Sequence, residues 1–223
     1  MGFNGNRGIE HRTLEWVDFG RQAYKCTDRS VQELAMRGKV KSSRETAVAA
    51  ALECFRRFGY EGASLNLLSE ATGLGRSSLY HYFPEGKEEI ALAAAELVEQ
   101  RFNELVIGPL QGPEPPMVRL GKAISGLDQF YNGGRDACLI DIFSIGDTAT
   151  ALPGRVKGIA FAVIEAFEKL SADANKRAAT NPRASAVRAI VELEGALVLT
   201  RATGDRTIFA DTLSRLPYIL SVS

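Results

Sequence analysis

From Ser42 onward, apolar side chains recur at three- and four-residue steps. Val48, Ala51, Leu52, Phe55 and Phe58 form one such stripe, the pattern of an amphipathic helix. Ser42 and Glu45 have the S-x-x-E spacing of a capping box, and Gly59 supplies a left-handed stop. A second short helix is predicted from the cap at Ser64, carrying Leu65, Leu67, Leu68 and Ala71 and ending at Gly73. The turn Thr72-Gly73-Leu74-Gly75 leads into a third, over about 76–82, which Pro84 closes. A long helix follows over about 86–106, until Pro109, Gly112, Pro113, Pro115 and Pro116 break the pattern. Beyond the break the helical period returns over about 117–131, 135–145, 153–178, 182–203 and 206–222. Turn signals separate these segments at Asn132-Gly133-Gly134, Pro153-Gly154, Asn181-Pro182 and Gly204-Asp205. No strand-like alternation stands out. The expected fold is all-α, with a three-helix front unit over 38–87 and a larger helical body over 88–223. Residues 1–37 show no clean period and read as an N-terminal extension. Met36, just ahead of Arg37, Lys39 and Lys41, is a candidate start, and with that start the first 35 residues are not native.

Composition narrows the class. With 223 residues, 45% apolar and 24% charged, the chain is long enough to bury a core and unlike a disordered or collagenous sequence. Three cysteines, Cys26, Cys54 and Cys138, form no CxxC pair. They read as reduced thiols of a cytoplasmic protein, not as a zinc site. No signal peptide is expected at the start, and no apolar run approaches the length of a membrane span. The 27 basic and 27 acidic residues cancel, which argues mildly against a general nucleic-acid binder. By region the balance is uneven. Residues 1–41 carry eight basic and five acidic side chains, residues 42–83 four of each, and the rest of the chain is slightly acidic.

An enzyme is not expected. His11 and His81 lie far apart, no serine elbow or HExxH motif occurs, and no metal-ligand spacing is present. No catalytic residue, cofactor or metal site is assigned.

The second and third helices form a helix-turn-helix, which presents its second helix to the DNA major groove. At roughly 100° per residue, with Arg76 at zero, Tyr80 falls near 40°, Ser77 near 100° and His81 near 140°. Leu79, near about 300°, faces away. Such a polar arc suits base edges and phosphates.

Residues 43–90 resemble the DNA-binding domain of TetR-type transcriptional regulators. The most specific stretch is Leu79-Tyr80-His81-Tyr82-Phe83 followed by Lys87-Glu88-Glu89. The segment from Glu194 to Arg201, with Gly204-Asp205, resembles a late helix of the same family. The resemblance implies a homodimer whose N-terminal domain binds a palindromic double-stranded DNA operator. It also implies a C-terminal domain that holds a small-molecule effector and the dimer interface. Carried over by position, Arg76 and Ser77 are candidates for base contact. Tyr80, His81, Tyr82 and Lys87 are candidates for phosphate contact, and Arg44, Ser64 and Asn66 for the backbone. Two departures from the family pattern stand out: Gly75 replaces the usual Ser or Thr cap of the reading helix, and Pro84-Glu85-Gly86-Lys87 is one residue longer than the common turn.

In the body, Phe130, Tyr131, Ile142, Phe143, Phe161 and Phe167 are candidates for lining an effector pocket, against the plainer reading as core. Asp141 and Asp147 beside them read as solvated charges, with a cationic ligand as the alternative, and Arg56 and Arg57 read as a solvated face. Val187, Ile190, Val191, Gly195, Leu197 and Val198, with Phe209, Leu213, Leu216 and Leu220, give two apolar helices that either pack internally or pair with a second subunit; the resemblance implies a four-helix dimer seam. The leading expectation is a ligand-responsive regulator, a repressor, with no membrane partner. The alternative is a helical small-molecule-binding protein without specific DNA binding.

Overall fold

A computed structural model describes residues 44–143, 152–174 and 181–222, and every regular element among them is helical. The N-terminal extension, with Trp16, Cys26 and the basic lead-in to Lys41, lies outside the described residues, as do Ser42 and Asp147.

Helix α1, Arg44–Gly62, buries Ala47, Val48, Ala51, Leu52, Cys54 and Phe55 on one face. Gly59 takes the left-handed φ expected of a stop (φ 68°, ψ 174°), but the chain resumes one further helical turn to Gly62. Helix α2, Leu65–Thr72, is capped by Ser64, whose hydroxyl accepts the Leu67 N–H, and is ended by Gly73 at φ 68°. Helix α3, Arg76–Tyr82, starts at Gly75 without a side-chain cap. Helix α4, Lys87–Phe102, continues through a π-helical turn, Asn103–Ile107, and a last turn, Gly108–Leu110.

That continuation runs past the expected end near residue 106. Pro109 has no N–H to return to the Leu105 carbonyl four residues back, and its ring crowds that carbonyl. The wider π turn, with the Gly108 N–H on Asn103 O, carries the chain past the proline. Arg119, nearly fully buried, donates to Leu110 O at 2.9 Å and pairs with Asp173 at 3.0 Å, tying off the helix end.

The body continues with α5, Pro116–Phe130, α6, Leu139–Phe143, α7, Leu152–Ala174, α8, Pro182–Thr203, and α9, Thr207–Ile219. Helix α6 begins four residues later than the period over 135–145 predicts. Asn132 (φ 51°), Gly133 (φ 63°) and Gly134 (φ 83°) all take positive φ. This chain of left-handed residues delays the helix to Leu139. Gly134 is fixed by space as well, since a Cβ there would meet Phe209 Cβ at 2.8 Å.

Helix α8 packs between α7 and α9, α5 lies against the π turn, and α4 and α5 both meet α7. Helix α1 packs on α2, α4 and α6. One continuous core therefore runs from the three-helix head into the body. Phe143 of α6 joins the two, packing edge-on against Phe55 (5.6 Å) and Tyr60 (6.1 Å).

Candidate nucleic-acid interface and effector cavity

The α2–α3 turn is held by side chains. Ser69 Oγ donates to Leu74 O at 2.6 Å, Thr72 Oγ1 donates to Leu68 O at 2.8 Å, and the Leu74 N–H returns to Thr72 Oγ1 at 3.3 Å. Leu68, Leu79 and Phe83 are buried beneath it. Arg76, Ser77, Tyr80 and His81 all lie on the exposed side of α3. The Arg76 guanidinium is not free-swinging, because Nε donates to Asn66 Oδ1 at 3.1 Å and NH2 donates to the same oxygen. This pairing across the turn was not expected from sequence; its only signal is an amide two residues after the Ser64 cap.

Other candidates lie around this face. Asn66 is exposed, Ser64 accepts the Leu67 N–H as a cap and keeps its O–H free to donate, and Tyr82 is half-buried beside His81 at 5.5 Å. Arg44 sits over the Phe83 ring at 5.1 Å and reaches Glu89 at 3.6 Å. Lys87 turns back to the end of α1, with Nζ donating to Glu61 O at 3.4 Å and lying 4.4 Å from the Tyr60 ring centroid. The lengthened turn explains the reach. Gly86 at φ 67° sets the first residue of α4 beside α1, and no Cβ-bearing residue takes that φ without strain. The cation there satisfies a carbonyl at a helix C-terminus, where positive charge is favoured.

A second site lies in the body. An apolar cavity, partly open to solvent, sits between α4, α5, α7 and α8. Phe130, Tyr131 and Phe167 are on its wall, with Phe102. Ile142 and Phe143 are buried away from it, and Phe161 is 44% exposed on the outer face of α7 with Lys157 beside it. Those three are placed elsewhere because the helical period shows which side of a helix is buried but not what that side meets. Asp141 also lies off the wall, paired with Arg201.

One wall residue was not foreseen as a site residue. Among the described residues, Glu194 of α8 is the single charged side chain on the cavity lining. Tyr131 O–H donates to Cys138 Sγ at 3.5 Å, and the Cys138 thiol is hydrogen-bonded to Glu194. Burial raises the Glu194 carboxyl above the ordinary carboxylate range. The Cys138 hydrogen bond opposes this, Asp141 adds to it, and Arg201 opposes it. The Cys138 thiol is pushed up to about 12, first by burial and then by Glu194, so it is an unreactive thiol at neutral pH. A carboxylate between Leu193 and the Ile190/Leu197 stripe was the available sequence signal.

The raised Glu194 carboxyl has a stability consequence. A raised folded-state value contributes stability that is complete below the unfolded-state carboxylate range and is lost as pH rises through the folded value. Glu194→Gln, which cannot ionise, should therefore melt higher than the unchanged protein at about pH 8, with the difference closing toward about pH 4. Paired thermal melts across this range check it; a Gln variant that melts lower at pH 8 would contradict the desolvation argument.

The cavity wall is also linked to the head. Arg56 of α1, expected on a solvated face, is largely buried instead. It pairs with Asp136 at 3.1 Å and with Glu53 at 2.8 Å, 5.9 Å from the Phe130 ring centroid. Tyr131 and Cys138 of the cavity bracket Asp136 on the α5–α6 loop.

Among the described residues no group of His, Cys, Asp and Glu is arranged to hold a metal ion, and no helix is long and apolar enough to cross a membrane.

The described residues join an N-terminal helix-turn-helix head to a cavity-bearing helical body, the architecture of one class of helix-turn-helix protein. Residues 47–94 match the model of the bacterial regulatory proteins, tetR family. The chain is 33% identical over 84 residues to the HTH-type transcriptional repressor AcnR of Corynebacterium glutamicum. That match covers 34% of this chain and 45% of the repressor, so it spans less than half of the relative's length. The fold is shared over nearly the whole body. A TetR transcriptional regulator from Legionella pneumophila superposes with a TM-score of 0.70 at 18% identity, over 83% of this chain and all of that one. A TetR transcriptional regulator from Chloroflexus aurantiacus gives 0.65 at 25% identity, over 86% and 96%. Residues 47–94 therefore match the DNA-binding domain of tetR-family regulators, and the described chain shares the fold of solved TetR regulators.

Proposed function

We propose that this protein is a cytoplasmic, ligand-responsive repressor that binds a palindromic operator as a homodimer. The observation that carries the reading is the exposed arc of α3, with Arg76, Ser77, Tyr80 and His81 on one side and Leu79 locked beneath. Such an arc reads bases through Arg76 and Ser77, while Tyr80, His81, Tyr82 and Lys87, with Arg44, Ser64 and Asn66 at the helix starts, serve the phosphates. The Asn66 contact supports the Arg76 role, because a guanidinium already oriented loses less freedom on meeting a guanine. Two such helices, about one helical turn of DNA apart or a multiple of it, match a two-fold palindrome. The body supplies the cavity for a small effector, with Phe130, Tyr131 and Phe167 on its wall. The Arg56–Asp136 pair offers a path from that wall to α1.

The test is a gel shift and footprint on DNA upstream of the protein's own gene, without effector and at low salt. A protected palindrome that weakens as salt rises is the expected result; no protection of any palindrome would overturn autoregulation. Arg76→Ala should cost about 1–3 kcal/mol and relax sequence preference. Lys87→Ala should weaken all sequences alike and lower the salt slope by about one. Because Lys87 also holds the end of α1, its variant is compared by thermal melting as well.

A further inference from the structure

We infer that the cavity takes a small lipophilic amine, bound as its cation, with the charged nitrogen on Glu194 and the hydrocarbon part among Phe102, Phe130 and Phe167. The inference rests on the effector reading of this cavity and narrows it to one chemical class.

Three observations carry it. The lining is apolar and aromatic except at one end, where Tyr131, Cys138 and Glu194 meet. A ligand there is therefore held mainly by apolar burial and oriented by a single polar anchor. The anchor is an acid, and among the described residues no lysine, arginine or histidine lies on the wall. A carboxylate or phosphate group entering this space would face Glu194 with no cation to receive it, at a cost that low-dielectric surroundings enlarge.

The third observation is that Glu194 forms no ion pair among the described residues. Arg201, the nearby cation, has its ion pair with Asp141 instead. The thiol of Cys138 supplies a hydrogen bond but no charge. A buried acid held like this in the empty protein is costly, and a ligand ammonium removes the cost by supplying the missing partner. Phe130 adds a ring face close to the same end: its ring lies 4.8 Å from that of Tyr131, edge-on. Aromatic faces favour a desolvated cation over a neutral head group.

The experiment uses three probes with one hydrocarbon frame and different heads: 4-phenylbutylamine, 4-phenylbutanol and 4-phenylbutyrate. Each is titrated by calorimetry into the full-length protein and into Glu194→Gln, without DNA. The amine should bind the unchanged protein about tenfold or more tighter than the alcohol, and the acid weakest of the three. In Glu194→Gln the preference for amine over alcohol should disappear while the alcohol still binds, which shows that the cavity remains intact. Melting curves of the variant confirm that it is folded. Equal or tighter binding of the acid, no amine binding at millimolar concentration, or an amine preference that survives in Glu194→Gln would each overturn the inference. A separate gel shift, with and without amine, reads the regulatory role. Amine binding with no operator binding would overturn the repressor reading and leave the cavity assignment standing, so the two failures are distinct.

Discussion

Val191→Glu is expected to turn the proposed dimer into a monomer and to lower operator affinity by on the order of 10²–10⁴-fold, the avidity that joining two reading heads supplies. Helix α8 has two apolar sides. One faces inward through Ala186, Ala189, Leu193 and Leu197, all buried. The other carries Val187, Val191, Gly195, Val198 and Leu199, all exposed in the single chain. Val191 is 64% exposed, and Tyr218 of the adjacent α9 is 81% exposed. A continuous stripe of this kind on two neighbouring helices is uncommon on a monomer and marks an interaction surface. In the proposed homodimer, a second copy of the same stripe across a two-fold axis covers both. Gly195 suits such a seam, because nothing lies within 4 Å of where its Cβ would be, and a partner helix can approach closely there. Glu at position 191 enters the seam twice, once from each copy, and leaves two desolvated acids without partners, a cost of several kcal/mol per ion. The fold of the single chain is spared because the side chain points away from its own core. Light scattering should show the monomer mass with an unchanged helical spectrum, and the gel shift should lose the complex. A Val191→Glu protein that remains dimeric would place the seam elsewhere.

The reading head was the most legible part of the sequence, for a local reason. Ser64 as cap, Gly73 as left-handed stop and the Leu68/Leu79 anchors each act within a few residues, so α2 and α3 have the boundaries the sequence predicts. Departures occur where distant contacts decide. Lys87, a candidate for phosphate contact, also docks on the end of α1, a contact that periodicity does not show. Arg56 was expected in solvent and is drawn in by Asp136, eighty positions later. The body helices were legible as apolar and helical, but periodicity cannot say whether a buried aromatic meets another helix or an empty space. Phe167 lines the cavity, while Phe143, equally buried, fills the joint between head and body. Glu194 went unassigned because an acid within an apolar stripe looks like any interfacial charge until its neighbours are known.

One further helix crossing combines local chemistry with close packing. Gly126→Ala on α5 is expected to destabilise the protein by about 3 kcal/mol, lowering the melting temperature by roughly 6–12 °C. Intrinsic preference points the other way, since alanine in a helix interior is favoured over glycine by about 1 kcal/mol. Sterics decide the outcome. A Cβ at Gly126 would lie well inside contact distance of the Leu105 carbonyl oxygen and 2.7 Å from its carbon. That carbonyl belongs to the π turn, the place where Pro109 offers no N–H to it. The π turn and α5 therefore meet backbone to backbone, without a side chain between them that can rotate aside. Accommodating the methyl requires the helices to part, and this opens the packing around Leu127 and Phe130 at the cavity wall. The same helix provides the control. Gly121, five positions earlier, is exposed with nothing within 4 Å of its would-be Cβ. Gly121→Ala should raise stability by about 0.5–1 kcal/mol, through helix preference alone. Urea or thermal unfolding of the two variants should move in opposite directions from the unchanged protein. If Gly126→Ala were neutral or stabilising, the close crossing of α5 on the π turn would be wrong.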